Sequence, residues 1–162
     1  MTDQMGALHA LIDQHCKERD QALDSFYEQW KTQPLIVNKW LLLQAISSRP
    51  DTLERVKQLL KHPAFNINNP NNVYALLCAF GENVIRFHAE SGEGYRFIAE
   101  QVLAIDPKNS QVAARVLQPL TRWQLMDKKR QNLMKEALQS IANAPKLSKA
   151  VYELAEKSLK TV

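Results

Sequence analysis

Apolar residues return every three or four positions along almost the whole chain. Met5, Leu8, Leu11 and Ile12 begin the series, and Ala22, Leu23, Phe26, Tyr27 and Trp30 continue it. This spacing predicts a helix from residue 2 to about 15 and a second from about 17 to 31. Pro34 suits the first turn of a third helix, where a missing N–H costs nothing. Leu35, Ile36, Val37, Trp40, Leu41, Leu42, Leu43 and Ile46 make that helix apolar on most sides. It is expected to be the most buried element of the first half and to stop before Arg49-Pro50. Asp51, with Glu54 three residues on, reads as a capping box for a helix carrying Leu53, Val56, Leu59 and Leu60, ended by His62-Pro63. Asn66 to Asn72 is asparagine-rich and predicts a loop. Val73, Leu76, Leu77 and Phe80 predict a helix from about 70 to 80, with Gly81 as its C-terminal cap.

Residues 82 to 90 are expected to be short and irregular. The most marked break in the helical pattern lies between Phe87 and Arg115, where Gly92 and Gly94, two of the chain's four glycines, sit two residues apart. Phe97, Ile98, Val102 and Ile105 predict a helix from Ser91 to Ile105, broken by Asp106-Pro107. Asn109 is suited to cap a helix from 110 to 118, and Pro119 to start or kink the next. A long helix, about 127 to 143, buries Leu133, Met134, Ala137, Leu138 and Ile141. Ser148 caps a last helix holding Val151, Leu154, Ala155 and Leu159. No stretch alternates as a half-buried strand does. About nine or ten helices with short connections imply antiparallel neighbours. The expected fold is all-α: stacked antiparallel helix pairs in an armadillo/HEAT-like solenoid, one domain over residues 1–162. No fixed-period repeat is visible, so a compact irregular bundle is the competing architecture.

Composition narrows the class. The chain has 162 residues, enough for one domain with a real core, and 45% hydrophobic and 23% charged residues are ordinary for a globular protein. No run of eighteen apolar residues predicts a membrane span, and the N-terminus lacks a secretory pattern. Cys16 and Cys78 read as buried thiols in a reducing compartment, so a cytoplasmic location is expected. A net charge of +4 permits nucleic-acid binding without arguing for it. Lys128, Lys129, Arg130 and Lys135 form the densest basic patch. Asp127 and Glu136 interrupt it, which favours a solvated helix face over a nucleic-acid stripe.

Candidate chemistry is sparse. The four histidines, His9, His15, His62 and His88, form no zinc-binding helical pair. His15 and Cys16 are neighbours that face different ways on a helix. No nucleophile elbow, phosphate-binding loop or dinucleotide fingerprint is present. Glu90 and Glu93 beside His88 read as loop charges rather than an acid–base group. Gln111 and Arg115, spaced i,i+4, share a helix face and together can present donors to a carbonyl or carboxylate. The alternative is a pair of ordinary solvated side chains.

One resemblance adds to this reading. Arg19-Asp20-Gln21-Ala22-Leu23, Phe26-Tyr27, Trp30-Lys31, Lys39-Trp40 and Arg49-Pro50-Asp51-Thr52-Leu53 carry its first half. His62-Pro63-Ala64-Phe65, Asn69-Pro70-Asn71, Phe87-His88-Ala89, Gly94-Tyr95, Gln111-Val112-Ala113-Ala114-Arg115 and Pro119-Leu120 extend it. In these residues the chain resembles the C-terminal helical domain of bacterial zinc aminopeptidase N, a gluzincin metallopeptidase. The resemblance implies a non-catalytic domain that walls an internal active-site cavity and controls peptide access. It implies no cofactor in this chain and one zinc in the catalytic domain of a parent chain. That catalytic domain and short peptides would be its partners, with no nucleic acid and no membrane. Gln111 and Arg115 match positions that face bound ligand. Asn72 stands where the family often has arginine, an altered cavity contact, and Ser91 and Ser110 replace a common aspartate and proline. A free-standing helical-repeat interaction module is the alternative role.

Overall fold

The computed structural model describes residues 1–160, so Thr161 and Val162 of the expected 1–162 domain lie outside the described residues. The described residues fold into helices joined by turns and loops, with no strand among them. The helices are α1 (Thr2–Leu11), α2 (Lys17–Trp30), α3 (Pro34–Ala45), α4 (Thr52–Leu59), α5 (Pro70–Val73), α6 (Ala79–Gly81), α7 (Val84–Phe87), α8 (Glu93–Ile105), α9 (Ser110–Leu117), α10 (Lys128–Ala142) and α11 (Lys149–Lys160). A π turn, Tyr74–Cys78, joins α5 to α6, and a 3₁₀ helix, Gln118–Leu125, follows α9. The chain forms two compact units, residues 1–86 and those from Phe87 onward.

In the first unit α3 packs against α2, α4, α5, the π turn and α6, while α1 lies on α2. Its anchor is Trp40, 1% exposed. The Trp40 indole Nε1 donates to the Leu23 carbonyl at 2.9 Å, and its ring lies 4.9 Å from that of Tyr27 and 5.2 Å from that of His62. Burial first, then Arg55, hold the His62 imidazolium below its usual pKa. The neutral ring suits His62 Nδ1, which accepts from the Ala64 amide at 3.1 Å.

Several expectations of this half are corrected. Helix α3 stops before Arg49-Pro50 as expected, at Ala45, but Leu35, Leu42 and Ile46 are exposed, because an i, i+7, i+11 row lies on its outer side. Asp51 occupies the N-cap position of α4 but accepts no capping bond. Its carboxylate instead takes both Arg49 Nε and Nη2, each at 2.9 Å. A charge-assisted fork outcompetes a single amide. Gly81 is helical without positive φ, and Glu82 caps the helix in its place. The irregular stretch after it contains the short α7. Cys16 and Cys78 are half-buried rather than buried.

The second unit packs α8 on α9 and α10, and α11 on α9 and α10. The Gly92–Gly94 break has a geometric cause. Gly92 adopts φ 67, the left-handed region, and a Cβ there would meet the flexible Leu133 side chain at 2.9 Å. A Cβ on Gly94 would lie 2.8 Å from the Phe87 carbonyl oxygen, which is backbone. Helix α8 can therefore start against Phe87 only with a glycine there. Beside it Tyr95 is fully buried, with its ring 5.0 Å from that of Phe87. The Tyr95 hydroxyl lies 2.8 Å from His88 Nδ1, and Arg130 Nε donates to the His88 carbonyl at 2.7 Å.

Asn109 caps α9 as expected, accepting from the Val112 amide at 3.1 Å. Ser148 Oγ accepts from the Val151 amide at 3.3 Å, and the Ser148 amide donates to the buried Asp106 carboxylate at 2.7 Å. That link ties the end of α8 to the start of α11.

Two outcomes follow from this geometry. Gly94→Ala should destabilise the chain by about 1–3 kcal/mol, the usual cost of overpacking, as read from denaturant unfolding. Burial raises the Tyr95 phenol to about 12 from 10.0. The folded state therefore holds this proton more tightly than the unfolded one, and its contribution is complete below pH 10 and lost as pH rises toward 12. Wild type should lose stability relative to Tyr95→Phe across that window in pH-dependent unfolding; parallel curves would contradict the assignment.

Candidate functional site

The Asn109 cap and the Asp106–Ser148 link fix the start of α9. Val112, Ala113, Val116 and Leu117 are buried on its inner side. The outer side carries Gln111 and Arg115, both exposed, so the structure places the two residues singled out by spacing on one face of one helix. Gln118, also exposed and one turn further on, extends the row where α9 passes into the 3₁₀ helix. Its i+7 relation to Gln111 was the signal that sequence spacing offered and that the two-residue reading left unused. An amide, a guanidinium and a second amide in sequence can donate to successive carbonyl or carboxylate oxygens of an extended ligand.

Asn72 lies in the first unit and is 7% exposed. Its side-chain oxygen accepts from the Asn66 amide at 3.0 Å, and its Nδ2 donates to Asn38 Oδ1 at 2.7 Å. Both ends of the amide thus close the asparagine-rich loop onto α3. Ser91 Oγ accepts from the Glu93 amide at 3.3 Å, a local cap before α8.

The other candidates resolve into internal contacts. His88 is held by Tyr95, while Glu90 pairs with Lys129 at 3.4 Å. Within the basic patch, Arg130 bonds Asp127, and Lys135 Nζ sits 4.0 Å from the centroid of the Trp123 ring. Asp127 also accepts from the Lys129 and Arg130 amides, so the carboxylate that interrupts the patch is the cap of α10. The Arg130 guanidinium holds the Asp127 carboxyl below the usual carboxylate range. Among the described residues no three of His, Cys, Asp and Glu come together to hold a metal ion. None of the described helices is long and apolar enough to cross a membrane.

Residues 1–160 match the family described as "Domain of unknown function (DUF3458_C) ARM repeats". The chain is 41% identical over 160 residues to aminopeptidase N of Caulobacter vibrioides, covering 98% of this chain and 18% of that protein. It is 39% and 38% identical, over the same length and shares, to the aminopeptidases N of Haemophilus influenzae and Escherichia coli. Among solved structures, that of Legionella pneumophila aminopeptidase A in complex with aspartic acid superposes with a TM-score of 0.94 at 40% identity, covering 100% of this chain and 19% of that one. The chain therefore spans less than a fifth of the length of these relatives. The all-helical fold and the matched residues agree, and the chain belongs to this ARM-repeat family, the helical part that it shares with the aminopeptidases N.

Proposed function

We propose that this chain is the non-catalytic C-terminal helical domain of a zinc-dependent aminopeptidase N, in which it walls the internal cavity and controls the entry of short peptides. The observation that carries this reading is the match along essentially the whole chain to proteins named aminopeptidase N, of which the chain forms only a small part.

The residues present do not fit a zinc site, since no suitable cluster of ligands forms among those described. In this reading the metal and the hydrolytic chemistry belong to another domain, and no step passes through this one. Its part is binding. Arg115 offers a guanidinium fork to a peptide carboxylate or carbonyl, and Gln111, one turn earlier, offers both an amide donor and an acceptor. A cytoplasmic location, a catalytic domain in the same parent chain as partner, and no binding of nucleic acid or membrane belong to the same proposal.

In the longer enzyme, Arg115→Ala should raise KM for peptides several residues long by about tenfold or more, the loss of one charge-assisted hydrogen bond. The kcat, the zinc content and the thermal stability should stay near wild type. Steady-state kinetics on peptides of increasing length would test this, and an unchanged KM would remove the role.

A further inference from the structure

In the first unit a cavity of about 390 Å³ is lined by the starts of two helices, α2 and α4. Their N-cap residues, Cys16 and Asp51, accept no side-chain capping bond. Both helix ends thus bring the positive pole of a backbone dipole to this wall. Three arginines, Arg19, Arg49 and Arg55, line the same space.

The arginines are not equivalent. Arg49 is engaged at all three of its nitrogens: its Nε and Nη2 grip Asp51, and its Nη1 donates to the Gln14 carbonyl at 2.8 Å. Arg55 spends its Nε on Gln44 at 2.8 Å. Arg19 is 6% exposed, and its Nη1 pairs with Asp20 at 3.0 Å. Its Nε is buried with no acceptor in hydrogen-bond reach. A guanidinium carries its charge through every medium, so one buried on the same wall as a second guanidinium, that of Arg49, favours an anion beside it. Burial, and after it the charge of Arg49, make the Arg19 guanidinium less comfortable than a solvated one. Around the whole cavity, Lys17 and the three arginines face Asp20, Asp51 and Glu54, which leaves one positive charge in excess.

We infer that this cavity is a carboxylate-binding site, with Arg19, Arg55 and Lys17 as donors and the starts of α2 and α4 as walls. One singly charged planar anion cancels the excess, and two-pronged donation by guanidinium matches its shape. The carboxylate has two sources. One is an aspartate or glutamate side chain of a longer chain that includes this domain. The other is a free carboxylate, such as the end of a peptide. The inference does not depend on the aminopeptidase reading.

The test is an NMR titration of the ¹⁵N-labelled chain with sodium acetate against sodium chloride at equal ionic strength, following the Arg19 Nε–Hε cross-peak. Acetate should shift that peak saturably, and chloride should leave it in place. Arg55→Gln should weaken acetate binding by about tenfold. Lys17→Gln, at an exposed position that leaves the fold intact, should weaken it about two- to fivefold. An Arg19 peak that acetate leaves unmoved, a peak that chloride moves equally, or unaltered affinity in Lys17→Gln would overturn the site. In a longer chain, a peak already at its saturated position and insensitive to acetate assigns the occupant to that chain's own side chain. A peak that still responds assigns a free carboxylate.

Discussion

Packing of one apolar helix stripe on the next governs this chain, because the helices are too short to stand alone. The longest, α10, has 15 residues, and several have four or fewer. Isolated helices of that length are marginal in water, so their stability comes from neighbours. Trp40 shows how the dependence works in the first unit. It is buried only because α2 supplies the Leu23 carbonyl and Tyr27, and because the turn after α4 supplies His62. In the second unit the same holds for Phe87 and Tyr95, whose contact depends on the missing side chain of Gly94.

Polar contacts fix how the stripes are joined. In the first unit the link after α3 is gripped from several sides. Asp13 accepts from the Ser48 amide at 2.7 Å and from Ser47 Oγ at 2.9 Å, and Asn83 Nδ2 donates to the Ala45 and Ser47 carbonyls. Buried backbone groups that a helix leaves unsatisfied are met here by side chains distant in sequence. In the second unit Asp106 plays that part for Ser148. The same link steadies the start of α9, and so the face on which Gln111 and Arg115 stand. Presentation of that face is a consequence of packing and capping, not of any feature local to the two residues.

Most helices were legible from periodicity, since Val73, Leu76, Leu77 and Phe80 can only share a buried face if the segment is helical. Asn109 and Ser148 were legible as caps because each is a short polar residue standing directly before a helical run. Asp51 was not, because the Arg49 fork that captures it is a matter of geometry rather than pattern. The π turn at Tyr74–Cys78 left no trace in the sequence, as an apolar run is buried at either pitch. The Gln111–Arg115 pair could be read from spacing, but its suggested role came from resemblance. The Arg19 cavity escaped notice because it is assembled by two helix starts far apart in the chain, and nothing local marks a guanidinium as buried.

Membership in the ARM-repeat family is settled by similarity along the whole chain, whereas service within a larger aminopeptidase is the central proposal. An immunoblot of the source lysate with antibody raised to this chain tests it most directly. The account predicts one band several times larger than 18.6 kDa that co-purifies with zinc-dependent aminopeptidase activity. A band at 18.6 kDa alone would contradict it and leave a free-standing interaction module.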